Sequence, residues 1–219
     1  MIRVALNDLF QRIMTLNKRE QRANLQKRVG ALHFPNESKI LDFGCGTALF
    51  AKIFMNKKFT YYGYDIDERL IAYANRLNAR GRFLQSKGEL KKESPYDLIL
   101  ANCCFHHIAD TMLALELGEI RSMLKSGGIF IMIDILLSRY DTFVPRLLFR
   151  KLERGVHIRS LQNYRSLIEK YFLIRKCDIE RSHLFSIRNF PIYNDLLVFE
   201  CQQGGSFPLC MSAPNLVNA

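Results

Sequence analysis

Apolar and polar positions recur along this chain with two different periods, and the switches between them mark its elements. From Ala5 to Leu32, the apolar positions Leu9, Ile13, Leu16, Leu25, Val29 and Leu32 sit among many charges, which predicts amphipathic helices interrupted near Asn17. Pro35 closes that section. Short apolar runs then alternate with helix-like stretches: Ile40 to Phe43 before a helix from about Leu49, and Thr60 to Tyr64 before a helix over Glu68 to Asn78. Arg82 to Gln85 follows, then Tyr96 to Ala101 before a helix near Thr111 to Leu124, then Ile129 to Ile135. Parallel neighbours need long crossovers, so strands separated by helices of this length predict a parallel sheet covered on both faces.

The last third changes character. Phe143, Val144, Leu147, Leu148 and Leu152 fall at helical spacing between Thr142 and Arg154, with Arg146, Arg150, Lys151 and Arg154 among them. Ser160 is placed to cap a helix that ends near Phe172, and Leu173 to Ile179 and Tyr193 to Cys201 read as two more strands. From Gly204 the composition is rich in Gly, Ser, Pro and Asn without periodicity, which predicts a flexible tail.

Bulk properties narrow the function classes. A chain of 219 residues with 48% hydrophobic content can bury the core of one three-layer domain, so one site is expected. A formal charge of +11 suggests an acidic partner: nucleic acid, an anionic membrane surface or an anionic small molecule. The six cysteines show no CxxC pair and no Cys/His zinc spacing, so they read as reduced thiols in a cytoplasmic protein. The longest apolar run, Ile129 to Leu137, is broken by Asp134, and no segment has the length and apolarity to span a bilayer.

The stretch Ile40-Leu-Asp-Phe-Gly-Cys-Gly-Thr-Ala48 is a short apolar strand running into a glycine turn and then a helix. Glycine there lets backbone approach a ligand where a Cβ would collide. At the end of the next strand Asp65 is placed to accept hydrogen bonds from ribose hydroxyls; capping the following helix is an equally ordinary role for it.

These residues resemble the first motif of the class I S-adenosylmethionine-dependent methyltransferases, in which Asp, any residue, Gly, any residue, Gly follows the first strand. Further matches are Tyr64-Asp-Ile-Asp67 after strand two, Tyr96-Asp-Leu-Ile99 in strand four, Phe105-His-His-Ile108 beyond it, and Leu124-Lys-Ser-Gly-Gly128 before strand five. The resemblance implies an α/β, three-layer Rossmann-like fold: a mostly parallel seven-stranded sheet, an antiparallel last strand, and helices on both faces. It implies one domain over residues 1–203, made of a helical cap (1–38), a cofactor core (39–135), a lid and helix (136–172) and C-terminal strands (173–203).

The resemblance also implies S-adenosylmethionine as cofactor and S-adenosylhomocysteine as product, with no metal. Asp42 joins the cofactor-binding set, Gly44, Cys45 and Gly46 contact the methionine part, Asp65 holds the ribose, and Ile66 lies against adenine. Asn102 and Cys103 line the floor beneath the sulfonium. Two positions depart from the family pattern. Ala48 stands where many members have a third glycine, and Gln85-Ser-Lys87 replaces the usual acid after strand three, leaving Ser86 for the adenine amine. Arg19 or Arg22 is a candidate partner for the cofactor carboxylate.

Methyl transfer from a sulfonium needs alignment and exclusion of water, and a base only when the acceptor must lose a proton. His107 and His157 are the candidate bases; for each, and for His106, packing or a loop-holding role is the alternative. Cys103 and Cys104 read as small apolar fillers. Asn102-Cys-Cys-Phe105 lacks the two prolines that typify nucleic-acid amino methyltransferases at this position. A small apolar or anionic acceptor, methylated on O, N or C, is therefore the leading expectation. A tRNA or rRNA methyltransferase comes second, and a cofactor-binding protein without turnover third. The basic amphipathic stretch 142–154 reads as a lid helix with a solvated charged face, or as a surface for peripheral contact with an anionic membrane.

Overall fold

The computed structural model of the chain describes residues 18–55, 59–78, 80–136, 157–187 and 190–203. The expected lid stretch 142–154 and the tail from Gly204 lie outside them, as does the start of the N-terminal helical section. In chain order the elements are α1 (Lys18–Ala31), β1 (Lys39–Phe43), α2 (Ala51–Met55), β2 (Thr60–Tyr64), α3 (Glu68–Leu77), β3 (Arg82–Leu84) and α4 (Lys87–Glu93). They continue with β4 (Tyr96–Asn102), a 3₁₀ turn at Phe105–His107, α5 (Asp110–Met123), β5 (Leu124–Ile135), α6 (Leu161–Ile168), β6 (Phe172–Ile187) and β7 (Phe190–Gln203).

The seven strands form one sheet in the order β3-β2-β1-β4-β5-β7-β6. β1, β2, β3, β4 and β5 pair in parallel, while β7 runs antiparallel to both β5 and β6. The expected mostly parallel sheet with an antiparallel last strand is what the chain builds. Alternation along β1, β4 and β5 feeds two separate cores. Leu41, Phe43, Ile99, Ala101, Phe130 and Met132 face one cluster with Leu90 of α4, Leu117 of α5 and Tyr164 of α6. Ile40, Leu98, Leu100, Ile131 and Ile133 face the other, with Leu25 of α1, Phe54 of α2 and Ala74 of α3. The three layers follow from that division.

β1 lies between β2 and β4, so the chain leaves it on one side and returns on the other. Connections to the two neighbours diverge there, opening a crevice beyond the carboxyl ends of β1 and β4, where open α/β sheets place ligands. The glycine turn and the Asn102–Cys104 segment are the two lips of that crevice.

Several boundaries differ from the sequence expectation. The helix after the glycine turn starts at Ala51, two residues beyond the expected start near Leu49, and Ala48 ahead of it adopts a left-handed conformation (φ 55°). α4 was not expected, although Ser86 and Glu89 form a capping box at its start. Ser160 does cap α6, accepting from Asn163 N at 3.3 Å, but that helix ends at Ile168 and Phe172 already opens β6.

α1 is held to the sheet by more than Leu25 and Val29. Its Arg28 reaches Asp178 (2.8 Å), Glu200 (3.0 Å) and Glu180, and Asn24 donates to Glu180 at 3.0 Å. One guanidinium thus ties the N-terminal helix to both C-terminal strands through charge-assisted bonds, fixing α1 across that edge of the sheet.

Candidate active site

The turn after β1 is built against the end of β2. Gly44 N and Cys45 N both donate to Tyr64 O, at 2.8 and 2.9 Å. Gly46 N donates to Asp65 Oδ2 at 2.8 Å, and Asp67 N donates to Asp65 Oδ1 at 2.9 Å. The half-buried Asp65 carboxylate therefore stitches the glycine turn to the next strand and keeps a lone pair on each oxygen for a further donor. The capping role falls elsewhere: the N-cap of α3 is Asp67, whose side chain accepts from Arg69 N at 2.9 Å.

The two glycines of the turn serve different needs. Gly44 has φ +74°, and a Cβ added there would lie 2.6 Å from Cys104 Cβ. Gly46 has φ +54°, and a Cβ there would meet nothing within 4 Å. Gly44 is thus required by packing across the crevice, whereas Gly46 presents bare backbone to open space. Beside it, Ile66 is 87% exposed, an apolar side chain facing outward next to Asp65.

Asp42 lies beneath the turn, 2% exposed, and accepts from Tyr61 Oη at 2.7 Å. Burial pushes its carboxyl up to about 7; the nearby Asp65 charge adds to the rise and the Tyr61 bond opposes it. The folded state therefore retains a proton that the unfolded chain releases near pH 4. Stability from this group is full below that point and is lost as the pH rises through about 7. Asp42→Asn, which keeps an acceptor for Tyr61, is expected to melt about 3–5 °C above the wild-type protein at pH 8 and level with it near pH 4. Thermal melts at the two pH values check this, and equal differences at both would contradict it.

The opposite lip is formed by the end of β4. Asn102 is half-buried, and Cys103, at φ 54°, donates its N–H to Ile133 O at 2.8 Å. Cys104 packs over Gly44 with Sγ 3.3 Å from Phe43 O. Burial raises the thiols of Cys45 and Cys104 far above their ordinary value, which suits packing and not nucleophilic attack.

The 3₁₀ turn that follows gathers the histidines. His106 is 2% exposed and His107 exposed, with ring centroids 4.0 Å apart. His157, also exposed, joins them through the backbone, its N–H donating to His106 O at 2.7 Å. Two residues absent from the sequence expectation hold this turn. Asp134 of β5 accepts from His106 N (3.1 Å) and lies 2.5 Å from His106 Nδ1. Arg159, 4% exposed, donates to Phe105 O, His157 O and Ile108 O and pairs with Asp110. The sequence signal for Asp134 was its interruption of an apolar run, since a charge inside a buried strand must find a partner.

The structure thus brings together Gly44, Cys45, Gly46 and Asp65, sets Cys104 and Cys103 opposite them, and places His107 and His157 each against His106. Ser86 follows β3, whose Leu84 pairs with Tyr64 of β2; it is exposed, and its hydroxyl accepts from Glu89 N at 3.2 Å in the capping box of α4. Arg22 is half-buried on α1, and the side chain of Arg19 lies outside the description.

A family model described as a methyltransferase domain matches residues 9–187. The chain belongs to that family. The methyltransferase fold is shared with solved structures at low identity, which carry the fold alone. One is a cyclopropane synthase from Mycobacterium tuberculosis: 13% identity, TM-score 0.64, covering 82% of this chain and 83% of that one. Another is the magnesium protoporphyrin IX methyltransferase from Synechocystis PCC 6803 with bound SAM, at 12% identity and TM-score 0.63, covering 89% and 84%. A mycolic acid cyclopropane synthase complexed with SAH and CTAB matches at 13% identity and TM-score 0.66, covering 85% of each chain. A search of curated proteins finds no match. Among the described residues no helix is long and apolar enough to cross a membrane.

Proposed function

We propose that this methyltransferase moves a methyl group from S-adenosylmethionine to O, N or C of a small apolar or anionic acceptor, as one catalytic domain over residues 1–203. The observation that carries the reading is the bond from Gly46 N to Asp65 Oδ2 beside the open Cβ position of Gly46. A turn without side-chain bulk lies next to a carboxylate with acceptor capacity to spare, as an adenosine-bearing ligand requires. When bound, the cofactor supplies an activated methyl group and a neutral leaving group.

The backbone of Gly44, Cys45 and Gly46 receives the methionine part, above the buried Asp42. Asp65 accepts from the ribose hydroxyls, Ile66 covers one face of adenine, and the Ser86 hydroxyl oxygen has a lone pair left to accept from the adenine amine. Asn102 and Cys103 line the floor where acceptor and methyl align. For an acceptor that must lose a proton, His107 or His157 takes it on a ring nitrogen. The acceptor class is supported by the net charge and by the basic amphipathic sequence of 142–154. Five cysteines described as free thiols support a cytoplasmic location.

Calorimetry with S-adenosylhomocysteine tests the cofactor, and cell extract incubated with methyl-labelled S-adenosylmethionine tests the acceptor. Label is expected in the small-molecule or lipid fraction. Absence of cofactor binding removes the whole reading, and label confined to RNA removes the acceptor class.

A further inference from the structure

β5 carries Asp134 on the same face as Phe130 and Met132, in a row that otherwise feeds the apolar core. The side chain is 1% exposed, so its desolvation is costly unless donors surround it. Three do. Oδ2 accepts from His106 N at 3.1 Å, while Oδ1 lies 2.5 Å from His106 Nδ1 and accepts from Ile135 N at 2.7 Å.

Of the two facing side chains the imidazole is the stronger base, so the shared proton resides on Nδ1. That choice fixes the tautomer and leaves the lone pair on Nε2, because the partner of one ring nitrogen decides the state of the other. The orientation is carried onward. The His106 ring lies against that of His107, and the His106 carbonyl holds the backbone of His157. Arg159 clamps the same turn through Phe105 O and Ile108 O, so the histidines have little freedom to rearrange.

We propose that Asp134 is a positioning residue for the acceptor side of the site: by holding His106 with its proton on Nδ1, it sets the placement of His107 and His157 and the basicity of His107. This rests on the methyl-transfer reading of the crevice. The ionisable groups around the pair are Cys104 and His107 from the β4–α5 connection, Asp110 at the start of α5, His157 and Arg159 ahead of α6, and Tyr164 within α6.

Long-range proton–nitrogen spectra of nitrogen-15-labelled full-length protein read all five histidines, assigned by single His→Gln substitutions. His106 is expected with its proton on Nδ1 throughout the neutral range. In Asp134→Asn, which keeps an acceptor for one of the two backbone donors, the titration midpoints of His106 and His107 are expected to fall by about one pH unit, as on removal of a neighbouring negative charge. The His157 ring signals are expected to shift with them.

A carboxylate that only held the turn would leave His107 titrating as before. That result in a stably folded variant overturns the proposal, as does a wild-type His106 protonated on Nε2. The wild-type tautomer decides by itself if the variant fails to fold. Adding S-adenosylhomocysteine to the same samples keeps the two questions separate, since its affinity reports the cofactor reading and the imidazole signals report Asp134.

Discussion

Asp65→Ala is expected to weaken S-adenosylhomocysteine binding by about 1.5–3 kcal/mol, roughly 10- to 150-fold, through loss of charged hydrogen bonds to the ribose. The structure adds a second consequence. The same carboxylate accepts from Gly46 N and Asp67 N, so the variant also releases two backbone donors at the crevice. Both lie near solvent, where water can replace the lost acceptor, and the stability cost is expected to stay near 1–2 kcal/mol. Asp67→Ala is the informative control. It removes the cap of α3, worth about 1 kcal/mol, and leaves the Asp65 carboxylate in place. Calorimetry should therefore find near-normal affinity in Asp67→Ala and a large loss in Asp65→Ala. Comparable affinities in the two variants would remove the ribose assignment.

That contrast shows why parts of the site were legible in sequence. A strand, a glycine turn and an acid at the end of the next strand are joined by local geometry, and parallel neighbours β1 and β2 bring residues some 20 positions apart together. What local reasoning cannot supply is which side chain fills a turn from across the crevice. Cys104 was expected only to fill space, yet it is what forbids a Cβ at Gly44. Arg159 meets Asp110 across 49 residues, a pairing that no helical or strand period encodes.

Element boundaries failed for similarly specific reasons. Lys87–Glu93 buries only Leu90, so α4 gives almost no apolar signal, and its capping box is the better indicator. β7 begins at Phe190, earlier than the expected Tyr193, and takes in Pro191. Among the described residues its ladder with β5 begins at Leu196, so Pro191 lies in the part of β7 that pairs in register with β6. Shifts in register between Ile174 and Lys176, and between His183 and Phe185, further blur the alternation along β6.

Gly44→Ala is expected to be the most damaging of the substitutions considered. Its new Cβ would sit 2.6 Å from Cys104 Cβ and 3.0 Å from Sγ, on a backbone at φ +74°. Overpacking of this kind costs about 1–3 kcal/mol and the left-handed conformation about 1–2 kcal/mol, so a loss of about 2–5 kcal/mol should appear in chemical denaturation. Gly46→Ala provides the complementary case. Its Cβ would meet no protein atom within 4 Å, so only the backbone term applies and stability should fall by about 1 kcal/mol. The same methyl group would stand where the cofactor's methionine part approaches the turn, and its affinity should drop about tenfold or more. One glycine would then fail by unfolding and its neighbour by excluding ligand. If Gly46→Ala bound S-adenosylhomocysteine like the wild-type protein, the open side of the turn would not be the ligand side, and the cofactor would have to enter elsewhere along the crevice.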